Sequence, residues 1–217
     1  MSDPPSSAEL LERLPRRVAH AMRTPLGLVV SALRELGANG DDPMLGLGQR
    51  GIDQLVHLAD RLSLLGRLAR GELGPPSQLE RDVDLVDVLA QARADVTRTR
   101  PRRRVETTTH APQHVPASGN AELLRAAFGE LLDNAVRLAR HTVTATLRVE
   151  GEHAVLEVCD DGPGPTTTAA SEADAGGLGV GLHLARAIVG EHGGTLELRD
   201  GPDGGGLARI ELASRGS

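Results

Sequence analysis

Aromatic residues are almost absent from this chain. It has no tryptophan and no tyrosine, and Phe128 is its single phenylalanine. A core must therefore be assembled from Leu, Val, Ile and Ala; Leu and Ala favour helices, and Val favours strands. The same gap removes the usual platforms for stacking single-stranded bases. Cysteine is nearly missing as well. With Cys159 alone, the chain can form no internal disulfide and no cysteine-based metal cluster. Long apolar runs are lacking: no stretch approaches the roughly 18–20 apolar residues of a membrane span. Met1 to Ser7 is polar and rich in Pro and Ser, without the apolar run of a signal peptide. Positive charge is not in excess either. The formal net charge is −6, which argues against nucleic acid as the main partner. The expectation is a soluble protein of the cytoplasm, with no membrane segment in this chain and no nucleic-acid partner.

What is present divides the 217 residues into two patterns. Leu11, Leu14, Val18, Met22, Leu26, Val29, Leu33 and Leu36 recur at three- and four-residue steps, a heptad-like helical seam. Pro25 should kink it. The stretch from Gly37 to Pro43 has the composition of a turn. A second helix then runs to about Arg70, with Ile52, Leu55, Ala59, Leu62, Leu65 and Ala69 as its stripe. Such a hairpin has too little core alone, so residues 8–70 are expected to pair with a second copy as a four-helix bundle in a homodimer. Residues 71–78 read as a linker.

From residue 79 to 213 the pattern changes to α/β. Strands are expected at Glu80–Asp84, Val105–Thr109, His114–Ser118, Thr142–Glu150, Ala154–Cys159, Thr195–Arg199 and Leu207–Leu212. Helices are expected at about Leu85–Arg98, Ala121–Leu138 and Val180–Glu191. The fold class is thus α+β: a helical hairpin, then an α/β sandwich whose mixed sheet is covered by helices on one face.

Four signals bear on chemistry. His20 lies about 200° around the helix from Val18 of the seam, so it points to solvent, where a nucleophile can be reached; a plain surface histidine fits as well. Arg16, Arg23 and Thr24 share its face. In ELLDNAVR, Glu130 to Arg137, the Asn134 oxygen suits a hard cation such as Mg2+, and Arg137 suits a phosphate; a solvated polar face is the alternative. In CDDGPGP, Asp160 stands at a strand end and could accept the exocyclic amine of adenine. Gly162 and Gly164 let the backbone pass close to a ligand, or simply form a turn. In GGLGVGLHLARAIV, Gly177, Gly179 and Gly181 run into a helix whose exposed amides make an anion site, or are merely a loop.

In order and spacing these segments resemble the H, N, G1 and G2 boxes of sensor histidine kinases. The matching runs are His-x-x-x-Thr-Pro, Leu-Leu-Asp-Asn-Ala, Asp-x-Gly-x-Gly and Gly-x-Gly-x-Gly-Leu, the last ending at Leu182. The likeness extends from about Leu10 to Leu212, and HGG at His192–Gly194 resembles the family's turn after the last helix. The resemblance implies a Bergerat-type ATP-binding fold with ATP and Mg2+ as cofactors. It implies that His20 accepts the γ-phosphoryl group, that Asn134 binds Mg2+, and that Asp160 reads adenine. Gly177, Gly179 and Gly181 would lie against the phosphates, and Thr24 would position water for dephosphorylating a response regulator. A response regulator receiver domain is the implied partner, with a separate sensor protein as a further one. Ala21 stands where the family usually carries an acid, and Glu130 where Asn is more usual. A regulator phosphatase or phosphotransfer protein, and an ATP-binding switch or scaffold without transfer, are the rival readings.

Overall fold

Asp84 caps a helix near the start of the α/β part of the chain. In a computed structural model of the chain, its Oδ1 accepts the Val86 amide at 2.9 Å and the Val115 amide at 3.1 Å. The described residues are 80–99, 105–164, 180–201 and 204–214, with scattered positions between 26 and 66. The chain divides into two units, one of residues 1–72 with 176–180, the other of residues 73–175 with 181–217. In the first unit the described positions are helical, at 26–27, 29–31, 48, 51–52, 55, 58–62, 64 and 66. Leu58 is buried there, whereas Leu26, Val30 and Ile52 are exposed in the single chain. His20, Ala21, Thr24, Pro25, residues 71–78, Gly177 and Gly179 lie outside the described residues.

The second unit runs β1 (Glu80–Asp84), α1 (Leu85–Thr99), β2 (Glu106–His110), β3 (Pro116–Gly119), α2 (Ala121–Leu138), β4 (Thr142–Glu150), β5 (His153–Asp160), α3 (Val180–Glu191), β6 (Thr195–Asp200) and β7 (Gly206–Ala213). Five strands form one sheet in the order β2-β4-β5-β7-β6. The β2–β4 pair is parallel and the remaining pairs are antiparallel, so the sheet is mixed. Strands β1 and β3 form a separate two-stranded sheet. Strand β3 starts two residues later than the apolar pattern implies, because Asp84 holds the Val115 amide and the His114 ring instead.

Alternation gives the sheet two unlike faces. Val143, Ala145, Leu147, Ala154, Leu156, Val158, Ile210 and Leu212 lie on one face and are all buried. Helix α2 packs on β4 and β5 at that face, and α1 packs on α2. The opposite face carries charged side chains. Glu157 of β5 accepts hydrogen bonds from Arg148 of β4 at 2.8 Å and Arg209 of β7 at 2.7 Å. Arg209 also bonds Glu150 and Glu211. The register that aligns these side chains is set by a two-residue turn between Glu150 and His153, in which Gly151 takes φ 59°.

Helix α2 is the spine of the domain. Asn120 caps it by accepting the Leu123 amide at 3.0 Å. Its apolar stripe of Leu123, Leu124, Ala127, Phe128, Leu131, Leu132, Ala135 and Val136 is buried. Phe128 is fully enclosed; truncating a buried Phe to Ala typically costs about 3–5 kcal/mol. Burying that stripe fixes which residues of α2 turn toward the remaining polar face.

Candidate functional site

On that polar face, Glu130, Asn134 and Arg137 succeed one another at four- and three-residue steps, so they share one side of α2. All three are half-buried. Arg137 Nη2 donates to Asn134 Oδ1 at 2.8 Å. Glu130 reaches across to the first turn of α3. A Cβ placed on Gly181 would run into Glu130 Oε2, so the lack of a side chain at 181 leaves room for that carboxylate. The structure thus brings Gly181 and the neighbouring Leu182, both half-buried, to the polar side of α2.

Asp160 ends β5. Burial pushes its carboxyl up from the ordinary aspartate range and the nearby Asp161 charge adds to this, while the Gly162 and Gly206 amides oppose it. Gly162 donates to Oδ1 at 2.9 Å. Both amides donate to Oδ1, Gly206 at 3.5 Å, and a carboxylate has further lone pairs able to accept another N–H. The chain crowds closely around it. A Cβ on Gly205 would collide with the Asp160 carbonyl, one on Gly206 would lie 2.6 Å from Asp160 Oδ2, and one on Gly162 would strike the Leu138 carbonyl. A Cβ on Gly164 would strike the Asp200 carboxylate.

Asp161, one residue on, does something different. Its Oδ1 accepts the amides of Arg140, His141 and Thr142 at 2.8, 3.0 and 3.1 Å. The His141 amide first, then those of Thr142 and Arg140 and the His141 ring, hold its carboxyl well below the usual range, against a smaller effect of burial. These amides belong to the turn leaving α2. Asp161 therefore ties the end of the helix carrying Asn134 and Arg137 to the end of the strand carrying Asp160.

The bonding roles of three features escape the sequence reading, one of them His192 of the HGG run. Asp161 was visible only as the second half of an Asp pair. Gly205 and Gly206 read as an ordinary hairpin turn, although three consecutive glycines exceed what a turn needs. His192 is the third: it is buried, pairs through Nδ1 with the Ile188 carbonyl at 2.7 Å, and accepts the Asn120 amide on Nε2 at 3.0 Å. A ring that donates through Nδ1 and accepts through Nε2 joins the end of α3 to the cap of α2. Among the described residues no group of three or more His, Cys, Asp or Glu could hold a metal ion.

Residues 119–215 match the family described as histidine kinase-, DNA gyrase B-, and HSP90-like ATPase. The adaptive-response sensory kinase SasA of Prochlorococcus marinus (strain MIT 9313) is 28% identical over 216 residues, covering 89% of this chain and 56% of that protein. The sensory histidine kinase/phosphatase NtrB of Rhodobacter capsulatus is 28% identical over 222 residues, covering 90% and 60%. The chain carries a histidine kinase catalytic core. Membership of that ATPase family implies that the core binds ATP. The core spans little more than half the length of these two relatives. Its fold is that of the Acinetobacter baumannii histidine kinase AdeS, with a TM-score of 0.70 at 19% identity over 91% of this chain and 98% of that one. No helix among the described residues is long and apolar enough to cross a membrane.

Proposed function

We propose that the kinase core phosphorylates itself on His20 with Mg·ATP and passes the phosphoryl group to an aspartate of a response regulator receiver domain. The observation that carries this reading is the assembly around α2: Asp160 at one end, Asn134 and Arg137 beside it through Asp161, and Glu130 at Gly181. Asp160, half-buried and flanked by Gly162, accepts the adenine amine. Gly181 and Leu182, with Gly177 and Gly179, border the phosphates, and Arg137 pairs with them.

The residues fit a magnesium ion. Asn134 and Glu130 offer hard oxygens one turn apart, and Asn134 Oδ1 already accepts a cationic donor. Magnesium is commonly held by one or two protein oxygens with substrate phosphates completing its shell. When bound, the ion offsets the charge that gathers on the phosphate oxygens.

In the first transfer the His20 imidazole nitrogen attacks the γ-phosphorus, the bond to the ADP oxygen breaks, ADP leaves, and the imidazole N–H proton passes to water. In the second, a regulator aspartate oxygen attacks the phosphorus and the P–N bond breaks, restoring His20. Residues 8–70 supply the dimer, in keeping with the exposure of Leu26, Val30 and Ile52 in the single chain. The setting is cytoplasmic, and a separate sensor protein is one source of the signal.

One observation favours a second activity. Ala21 leaves His20 without an adjacent carboxylate, and general-base assistance is typically worth about 10²–10⁴ in rate. Thr24 remains in place, so dephosphorylation of the regulator should outweigh slow autophosphorylation. Incubation with γ-labelled ATP and Mg2+ tests both. Acid-labile label that disappears in His20→Gln is expected. Bound ATP without any label would instead indicate a nucleotide-dependent scaffold. Thr24-dependent loss of label from a phosphorylated regulator identifies the phosphatase.

A further inference from the structure

The carboxamide oxygen assigned to the metal is already engaged. Arg137 Nη2 donates to Asn134 Oδ1 at 2.8 Å, in half-buried surroundings and one helical turn away. A guanidinium is charged at every pH of interest. It stands on Asn134 as a fixed cation would. A magnesium ion on the same oxygen would lie within a few ångströms of that guanidinium, where two cations repel strongly in partly desolvated surroundings. The two therefore compete for one atom, although the oxygen has two lone pairs.

We propose that Arg137 is an internal stand-in for the metal ion, and that a nucleotide phosphate draws it off Asn134 and so opens that oxygen to Mg2+. The inference rests on the nucleotide reading above and adds to it an order of events. A phosphate is the stronger partner for Arg, because the bond is charged on both sides and can be bidentate. The neutral carboxamide is the weaker one. Both groups ride on the same turn of α2, so the exchange proceeds by rotation of the Arg137 stem without movement of the helix. Glu130 and Asp133 place carboxylates on the same stretch of helix, which keeps a cation favoured there throughout. Without phosphate the position is filled by Arg137; with phosphate it passes to the metal. The site thus keeps its polar groups paired in the absence of ligand and takes up the metal together with the nucleotide.

The test separates the charge of Arg137 from its hold on the oxygen. Titration calorimetry on the whole chain would measure a non-hydrolysable ATP analogue in EDTA and in Mg2+, and the ratio of the two dissociation constants is the magnesium gain. Arg137→Met removes both the charge and the donor. Arg137→Gln removes the charge and keeps an N–H donor for Asn134. Arg137 is not part of the buried stripe of α2, so both variants should fold. Both should bind the analogue more weakly than the parent in EDTA. The gain should be about three- to tenfold larger for Met than for Gln, the value of one hydrogen bond. Equal gains in the two variants would overturn the exchange while leaving Arg137 as a simple phosphate contact. An undiminished gain in Asn134→Ala would remove the metal assignment itself, and the exchange with it.

Discussion

Glu157 lies three residues before Asp160 on β5 and anchors the charged face of the sheet. The Arg148 hydrogen bond first, and the Arg209 bond after it, bring its carboxyl from 4.5 to about 2 in spite of burial. Each factor of ten in acidity corresponds to about 1.4 kcal/mol, so the full difference would amount to about 3 kcal/mol. The cluster has access to water, which reduces this to about 1–2 kcal/mol. The folded value is the depressed one. The contribution is therefore complete above the unfolded value of 4.5 and is lost as pH falls toward 2. Urea unfolding of the parent and of Glu157→Gln should show a gap of about 1–2 kcal/mol near pH 7, shrinking to less than about half near pH 2.5. The same gap at both pH values would mean that Glu157 acts by packing and not by charge. No gap near pH 7 would mean that the arginines find other partners at no cost.

Three further outcomes follow from the site. Asp160→Asn should weaken ATP more than about tenfold, because a buried adenine amine would face a mixed donor and acceptor, and should reduce discrimination against GTP; unchanged affinity for both, by calorimetry, would remove Asp160 from the site. Gly205→Ala should lower stability and nucleotide affinity together, since its Cβ would meet the Asp160 carbonyl; a variant that melts lower yet binds normally would separate the turn from the pocket. His192→Leu should cost about 1–3 kcal/mol by leaving the Asn120 amide without its acceptor, read as a lowered melting temperature, and an unchanged melt would show that water serves equally well.

Much of this architecture was legible in the residues. The bounds of α2, α3 and β4 follow from periodicity and from turn residues, since each buries a stripe or face that the local pattern spells out. The mixed sheet with helices on one face follows from the interleaving of those elements. The β1–β3 pair did not, because it joins residues far apart in sequence and no local period encodes a partner. The shift of β3 to Pro116 has a similar origin: Asp84 takes the Val115 amide from a distance of 31 positions. Within the site, Asn134 and Arg137 could be placed on one helix face by counting. That their side chains bond each other depends on rotamers, which spacing leaves open. The division of labour between Asp160 and Asp161 was hidden for a simpler reason. Neighbours at a strand end point opposite ways, and composition does not say which way is inward.

The knot at Asp161 has a consequence for what the core will accept. Helix end and strand end are riveted by three amides on one carboxylate oxygen, so the two ends cannot slide past each other. On the proposed reading one end meets the base and the other the phosphates. The frame then works as a gauge of length. A nucleotide whose base and phosphates lie at the right span engages both ends, and one with a longer or shorter spacer gives up one end to keep the other. Asp161→Ala should loosen that gauge, so that binding of the correct nucleotide falls while the penalty for a wrong span falls with it.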